Sequence, residues 1–108
     1  MYVIVWRFRP LEGRESEFER AYGPSGEWAL LFRRDDDYLG TDLLRHSEDS
    51  REYLTLDRWV SRDAYETFRS RFSNEYGRLD RLFEGLTEEE TPLGTFEMLP
   101  YSASVTSR

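Results

Sequence analysis

The chain has 108 residues, the length of one ordinary domain, and its formal net charge of -7 corresponds to a pI near 4.8. This charge disfavours a nucleic-acid backbone or an anionic membrane surface as a partner, so the sequence predicts neither. Because the chain contains no cysteine, disulfides, thiolate catalysis and cysteine-ligated metal sites are excluded.

The first element is a strand over residues 2–9 with apolar side chains on both faces. Such a strand is predicted to lie centrally in a sheet and to be covered on both sides. Its apolar run is too short for a signal peptide, and no small-residue cleavage site follows it. We therefore expect a cytoplasmic protein.

A Gly-Pro-Ser-Gly interruption at residues 23–26 divides the helical pattern that follows. A phosphate-binding loop would lie between a strand and a helix and would carry a lysine, and too little chain precedes the interruption for a separate domain. The interruption therefore predicts a kink between two helices. Gly23 is expected to end the first helix, and Ser25 to be the N-cap of the second.

Two strands, a long helix and a last strand complete the pattern. The strands are predicted over 38–46, 52–59 and 93–99, the helix extends from a cap at Ser61 to a stop at Gly85, and an acidic turn covers 87–91. Residues 1–100 form a single domain in this interpretation, and residues 101–108 form a flexible tail.

This element order predicts an α+β fold, the ferredoxin-like βαββαβ plait, with a four-stranded antiparallel sheet and all helices on one face. The 16% aromatic content exceeds what one small core needs and predicts a second apolar surface. We place that surface on the uncovered sheet face and expect a second copy of the chain to cover it, giving a homodimer. The side chains assigned to this face are Tyr2, Ile4, Trp6, Phe8, Tyr53 and Trp59.

Four segments together resemble the antibiotic biosynthesis monooxygenase family of the dimeric α+β barrel group. They are VIVWRFRP with Gly13, AYGPSGEWALLFRRDDDYLGTDLLR, YLTLDRWVSRDAYETF and LGTFEML, which span most of residues 2–99. The resemblance implies oxidation of a small aromatic or polycyclic compound without metal, haem or flavin. Oxygen would react with the deprotonated substrate in an aromatic pocket between the sheet and the helices.

The resemblance implies substrate-binding roles for seven residues, and no catalytic residue is assigned. The aromatic candidates are Trp6, Trp59, Phe68, Phe72 and Tyr76, and the polar candidates are Tyr53 and Asp57. Helical spacing alone favours ordinary core positions for Phe68 and Phe72. The tryptophans and the polar candidates are equally compatible with packing or strand pairing.

Haem breakdown, which some members of the group perform, is not expected. The haem-degrading members carry an Asn on the first strand and a Trp and a haem-ligating His on the long helix. In this sequence the Asn position is Trp6, the Trp position is Phe68, and the His position falls at residues 76–78, where there is no histidine. The single histidine, His46, and the acidic runs at 35–37 and 88–90 are interpreted as surface features, so no metal site is predicted. The alternatives left open are a non-catalytic, ligand-binding or regulatory homodimer and an isomerase or cyclase.

Overall fold

A computed structural model describes residues 1–100, so the predicted tail at 101–108 lies outside the described residues. This part of the chain forms four strands and four helices, in the order strand, two helices, two strands, two helices, strand. Their bounds are β1 Tyr2–Pro10, α1 Glu15–Tyr22, α2 Glu27–Phe32, β2 Tyr38–Arg45, β3 Tyr53–Trp59, α3 Arg62–Arg71, α4 Ser73–Phe83 and β4 Thr87–Glu97. Among these residues, no helix is long and apolar enough to cross a membrane.

The strands form one antiparallel sheet in the order β2-β3-β1-β4, with the helices against one face. This is the ferredoxin-like α+β plait, as the sequence predicts. In the centre of the sheet, Trp6 pairs with Thr55 and Phe8 pairs with Tyr53. Cross-strand partners share a face, so β1 and β3 present these four side chains to the same side.

The helices cover the aromatic face of the sheet, so the prediction that this face is uncovered was wrong. Phe8 packs against Phe18 and Tyr22 of α1, with ring centroids 5.4 and 4.8 Å apart. Trp59 packs against Phe68 of α3 at 5.0 Å. Large aromatic side chains lose the most contact with water on burial, and this favours covering the face that carries them.

The opposite face carries smaller apolar side chains and is covered by no helix. We call it the outer face. Its charged side chains include Arg7, Asp42 and Arg58, and its apolar side chains are Val3, Val5, Leu44, Leu54, Leu56 and Phe96. Leu44 is 44% exposed and Phe96 52% exposed. Val3 is buried, at 4% exposed, whereas exposed apolar side chains such as Leu44 and Phe96 are typical of an interaction surface.

The predicted kink at residues 23–26 is confirmed, although the cap is different. Helix α1 ends at Tyr22, and α2 begins after Gly26, which occupies the N-cap position predicted for Ser25. A Cβ atom on Gly26 would lie 2.2 Å from the Arg20 carbonyl oxygen and 2.4 Å from that of Ala21. The two helices meet so closely that only glycine fits there.

The predicted long helix is broken at Phe72, which separates α3 from α4 with φ -111° and ψ 29°. Its start is as expected, because the Ser61 side chain accepts a hydrogen bond from the Ala64 N–H at 3.1 Å. Phe72 is buried against Phe68, with ring centroids 5.0 Å apart. The residue that interrupts the helix is therefore also part of the core.

The predicted acidic turn at 87–91 is instead the first half of β4, which begins at Thr87. It lies at the sheet edge, where charged side chains can remain in water. Arginines also compensate its charge, because Glu88 lies 3.6 Å from Arg9 and 2.6 Å from Arg51. A register shift follows in β4, and Gly94 adopts the φ of +127° that this irregularity requires.

Candidate functional site

A cavity lies between the helix-covered face of the sheet and the helices. It leaves about 80 Å³ for water-sized molecules and is open on one side. Its lining consists of Trp6, Phe8, Tyr22, Trp28, Phe32, Thr41, Thr55, Asp57, Tyr76, Asp80 and Glu90. Six of these side chains are aromatic, and the charged ones are all carboxylates.

Asp57 on β3 is one of two carboxylates that the sheet contributes to the cavity lining, the other being Glu90 on β4. The Thr41 hydroxyl of β2 donates a hydrogen bond of 2.6 Å to Asp57 Oδ1. The Tyr38 hydroxyl lies 2.5 Å from Thr41 Oγ1. Because the single Thr41 proton is used on Asp57, Tyr38 donates to Thr41. A chain of two hydrogen bonds therefore ends on the carboxylate.

Burial raises the pKa of Asp57 to about 6, and the hydrogen bond from Thr41 opposes this rise only in part. A carboxylate removed from water prefers its neutral form unless a cation or several donors compensate. No cationic side chain is part of the lining. Near neutral pH the group is therefore mostly ionised and more basic than an ordinary carboxylate, as a general base needs to be.

Helix α4 forms one wall of the cavity through Tyr76 and Asp80, which lie one turn apart. The Tyr76 ring meets Trp28 edge-on at 4.9 Å, and the guanidinium of Arg69 lies over it at 3.7 Å. Burial raises the pKa of the Tyr76 hydroxyl, so this group stays protonated and can donate a hydrogen bond. Burial also raises the pKa of Asp80.

Trp28 on α2 brings an indole N–H to the cavity wall, where the Tyr22 hydroxyl is its hydrogen-bond partner. Its side chain is 8% exposed. Nε1 of Trp59, which does not line the cavity, makes no hydrogen bond within residues 1–100. Buried N–H groups are nearly always paired in proteins, and Trp28 follows this rule.

The structure brings three of the seven predicted site residues to the cavity, namely Trp6, Asp57 and Tyr76. The other four, Tyr53, Trp59, Phe68 and Phe72, belong to the surrounding core. The Tyr53 hydroxyl donates to Glu19 at 2.5 Å, and burial raises its pKa to about 12. These four support the cavity through packing and do not line it.

Sequence reasoning missed most of the lining, including Trp28, Thr41, Thr55, Asp80 and Glu90. Thr55 could have been predicted from the sequence, because it lies between Tyr53 and Asp57 on the same face of β3. Trp28 carried only the apolar helical spacing of a core residue. Asp80 could have been inferred in the same way, because it lies one helical turn after the predicted site residue Tyr76. Thr41 and Glu90 carried no signal, since their strands are joined to the site only by the tertiary fold.

The remaining candidates are surface features. His46 Nδ1 accepts a hydrogen bond from the Glu48 N–H at 2.9 Å, and its side chain is exposed. Asp35 accepts from the Asp37 N–H at 2.9 Å in a turn. Within residues 1–100, no three histidine, aspartate or glutamate side chains are grouped as metal ligands.

Solved structures with the same architecture include a cofactor-independent oxygenase, SnoaB of Streptomyces nogalater. It is 21% identical, with a TM-score of 0.72 over 93% of this chain and 94% of that one. A Deinococcus radiodurans protein described as an antibiotic biosynthesis monooxygenase is 12% identical, with a TM-score of 0.71 over 94% of this chain and 96% of that one. A protein of the same description from Bordetella bronchiseptica is 20% identical, with a TM-score of 0.69 over 92% of this chain and 97% of that one. At these identities the likeness concerns the fold.

Sequence comparison gives the family directly. No curated protein matches the chain closely enough to count as a relative. The family model for antibiotic biosynthesis monooxygenases, in contrast, matches residues 1–72, two thirds of the 108 residues and all elements from β1 to α3. The chain therefore belongs to the antibiotic biosynthesis monooxygenase family.

Proposed function

We propose that the protein is a cofactor-independent monooxygenase that oxidises a small aromatic compound in the cavity between sheet and helices. The observation that carries the proposal is Asp57, a carboxylate with a pKa raised to about 6 inside an aromatic cavity. Family membership and the fold shared with the oxygenase SnoaB support the same activity. A base of this kind supplies the first step, removal of a proton from the substrate.

The reaction proceeds through the deprotonated substrate. Asp57 takes a proton from an acidic CH₂ group next to an aromatic ring, and the resulting carbanion gives electrons to O₂. One oxygen atom forms a C=O bond at that carbon, and the other leaves as water with the two hydrogens of the CH₂ group. The substrate carbon is oxidised and O₂ is reduced, so no further reductant is needed.

The protein contributes a prearranged environment rather than a redox group. Trp6, Trp28 and Tyr76 provide apolar walls that exclude water from the carbanion. The protonated Tyr76 hydroxyl supplies a donor where negative charge develops on the substrate oxygen. Proton transfer leaves Asp57 neutral, so the cavity holds the same total charge before and after this step.

The volume of the cavity limits how much of a substrate it can enclose. An engineered apolar cavity of about 150 Å³ holds benzene, and the space here is about 80 Å³. The cavity therefore encloses one ring of the substrate after a small outward movement of α4. Any further rings of a polycyclic compound extend through the open side, past Asp80 and Glu90.

We further propose that the protein is a homodimer in which the outer faces of two sheets pack together. The apolar character of Val5, Leu54 and Leu56 in the middle of that face supports this pairing, and a two-fold axis lets the same surface serve both copies. In this dimer each cavity lies within one subunit. The role of the dimer contact is to keep the sheet that carries Asp57 rigid.

The test of the oxygenase activity is oxygen uptake with a panel of anthrones and quinols, compared between wild type and Asp57→Asn. The matched control is Asp36→Asn, which removes an exposed carboxylate in a turn. We expect uptake with at least one compound for wild type and Asp36→Asn, and a loss of about 100-fold or more for Asp57→Asn. Binding of the panel without any uptake would favour the alternative of a non-catalytic ligand-binding protein.

A further inference from the structure

Helix α4 forms a wall of the cavity and lies between two buried anchors, but it is not itself buried. Phe68 and Phe72 are buried just before the helix, and Leu86 is buried just after it. None of residues 73–83 is buried. Because helices in proteins are held in place mainly by buried apolar contact, α4 is held less firmly than the residues on either side of it.

Both ends of α4 have connections at which the helix can turn as a unit. At its start, the backbone of Phe72 is not helical, with φ -111° and ψ 29°. At its end, Glu84 and Gly85 separate the helix from Leu86, whose carbonyl oxygen accepts a hydrogen bond of 3.0 Å from the Leu11 N–H. A Cβ atom on Gly85 would meet nothing within 4 Å, so this connection lies in open space. Hinges are typically a few residues of this kind at the ends of elements.

Arg69 on α3 holds α4 from the other side of the break. Its guanidinium lies over the Tyr76 ring at 3.7 Å, and it also lies near the Asp80 carboxylate. Arg69 itself is tied to α3, because it donates a hydrogen bond of 3.2 Å to the Tyr65 hydroxyl. Tyr76 and Asp80 are the two residues of α4 that line the cavity. One cation therefore attracts both side chains through which α4 closes the site.

The cavity in this closed arrangement is too small for an aromatic ligand. It leaves about 80 Å³, whereas an engineered cavity that holds benzene measures about 150 Å³. The strands of the floor are paired with one another along their length. Among the helices that line the cavity, α1 and α2 carry buried residues and α4 carries none. The additional volume is therefore available at least cost from a movement of α4.

We propose that α4 is a lid, which turns outward about Phe72 and residues 84–85 to admit an aromatic ligand, and that Arg69 holds this lid shut through Tyr76 and Asp80. The inference rests on the cavity being the site of the proposed function, and it adds how a ligand reaches that site. Opening separates Arg69 from α4 and leaves the helix itself intact. Removing the charge of Arg69 therefore raises the fraction of open molecules without altering the cavity floor.

A single thiol on the cavity floor reports the opening of the lid. Thr55→Cys is suitable because Thr55 lines the cavity, is 4% exposed, and lies in a chain without any other cysteine. The probe is dipyridyl disulfide, a neutral aromatic reagent that releases a coloured thiopyridone when the thiol attacks it. We expect the folded protein to react at least about 100-fold more slowly than the same chain unfolded in urea, yet faster than global unfolding.

The role of Arg69 is tested by adding Arg69→Met, which keeps most of the side chain and removes the charge. The thiol should then react about fivefold faster, because a cation over an aromatic ring is lost. Arg71→Met is the matched control. Arg71 lies on the same helix and also over an aromatic ring, that of Phe72 at 5.3 Å, but this ring lies before α4. It should leave the reaction rate unchanged.

An NMR measurement of wild type locates the moving segment without any cysteine. Relaxation dispersion of the backbone amides should show exchange on the microsecond-to-millisecond timescale across residues 73–83, and none across β1 and β3.

The proposal is overturned if Thr55→Cys reacts as fast as the unfolded chain, if it reacts no faster than global unfolding, if Arg69→Met leaves the rate unchanged, or if α4 shows no exchange. None of these measurements requires turnover. A lid that opens in a protein without oxygen uptake would therefore refute the oxygenase and leave this inference standing, whereas uptake with an α4 that does not open would do the reverse.

Discussion

Thr41 on the edge strand β2 donates a 2.6 Å hydrogen bond to Asp57 on β3, and it is the side chain that stabilises the ionised carboxylate. The two residues are cross-strand partners, so the sheet register itself sets their distance. Tyr38 fixes the direction of this bond by donating to Thr41. The basicity of the proposed catalytic group is thus controlled from the neighbouring strand.

Thr41→Val is expected to raise the pKa of Asp57 by about one unit, because a hydrogen bond to the charged form is lost. The measurement is an NMR titration of the Asp57 carboxyl carbon. Thr55→Val is the matched control, since Thr55 also lines the cavity but is not a donor to Asp57. An unchanged or lower pKa in Thr41→Val would contradict the assignment.

Asp57→Asn is expected to stabilise the protein at alkaline pH. The carboxyl has a pKa of about 6 when folded and near 3.9 when unfolded, so the folded state binds more protons between pH 4 and 6. Wild-type stability contributed by this group therefore falls as the pH rises through that window. Above it, ionised Asp57 costs about 2 to 3 kcal/mol, which the amide avoids.

Urea unfolding of wild type and Asp57→Asn at several pH values, at one protein concentration, measures this effect. The difference in unfolding free energy should grow from near zero at pH 4 to about 2 kcal/mol at pH 8 in favour of the variant. If the variant is less stable than wild type at pH 8, burial of the ionised carboxylate does not destabilise the folded protein, and the prediction is wrong.

Leu56→Asp is expected to convert the proposed dimer into a monomer, because it places a charge in the middle of the outer face beside Val5. Light scattering coupled to size exclusion should give a mass near 13.0 kDa instead of twice that value. Leu30→Asp is the control, since Leu30 is 52% exposed on α2, away from the sheet. A wild-type monomer at micromolar concentration would refute the dimer.

Sequence patterning predicted the plait because its strands and helices differ clearly in period, and turn signals separate them. It did not predict which sheet face the helices cover, since β1 is apolar on both sides. The structure separates the faces by side-chain size: Trp6 and Phe8 lie under the helices, and Val3 and Val5 lie on the outer face. The break at Phe72 was also missed, because the apolar spacing continues through it.

The site was only partly predictable for a related reason. The sequence places Asp57 as a polar residue on the aromatic face of its strand, and the resemblance implies a substrate-binding role for it. The base role proposed for it depends on burial beneath α4 and on the hydroxyl of Thr41, 16 residues away in the chain. Neither the burial nor the place of Trp28 in the cavity wall can be derived before the helices are placed on the sheet.

The most direct test of the account is the pH dependence of oxygen uptake with an active anthrone or quinol. If ionised Asp57 is the base, the wild-type rate rises with pH through an apparent pKa near 6 and then levels off. Asp57→Asn should show a residual rate that does not change in this range. A wild-type rate independent of pH between 5 and 8, or an unchanged profile in Asp57→Asn, would contradict the assignment of Asp57 as the base.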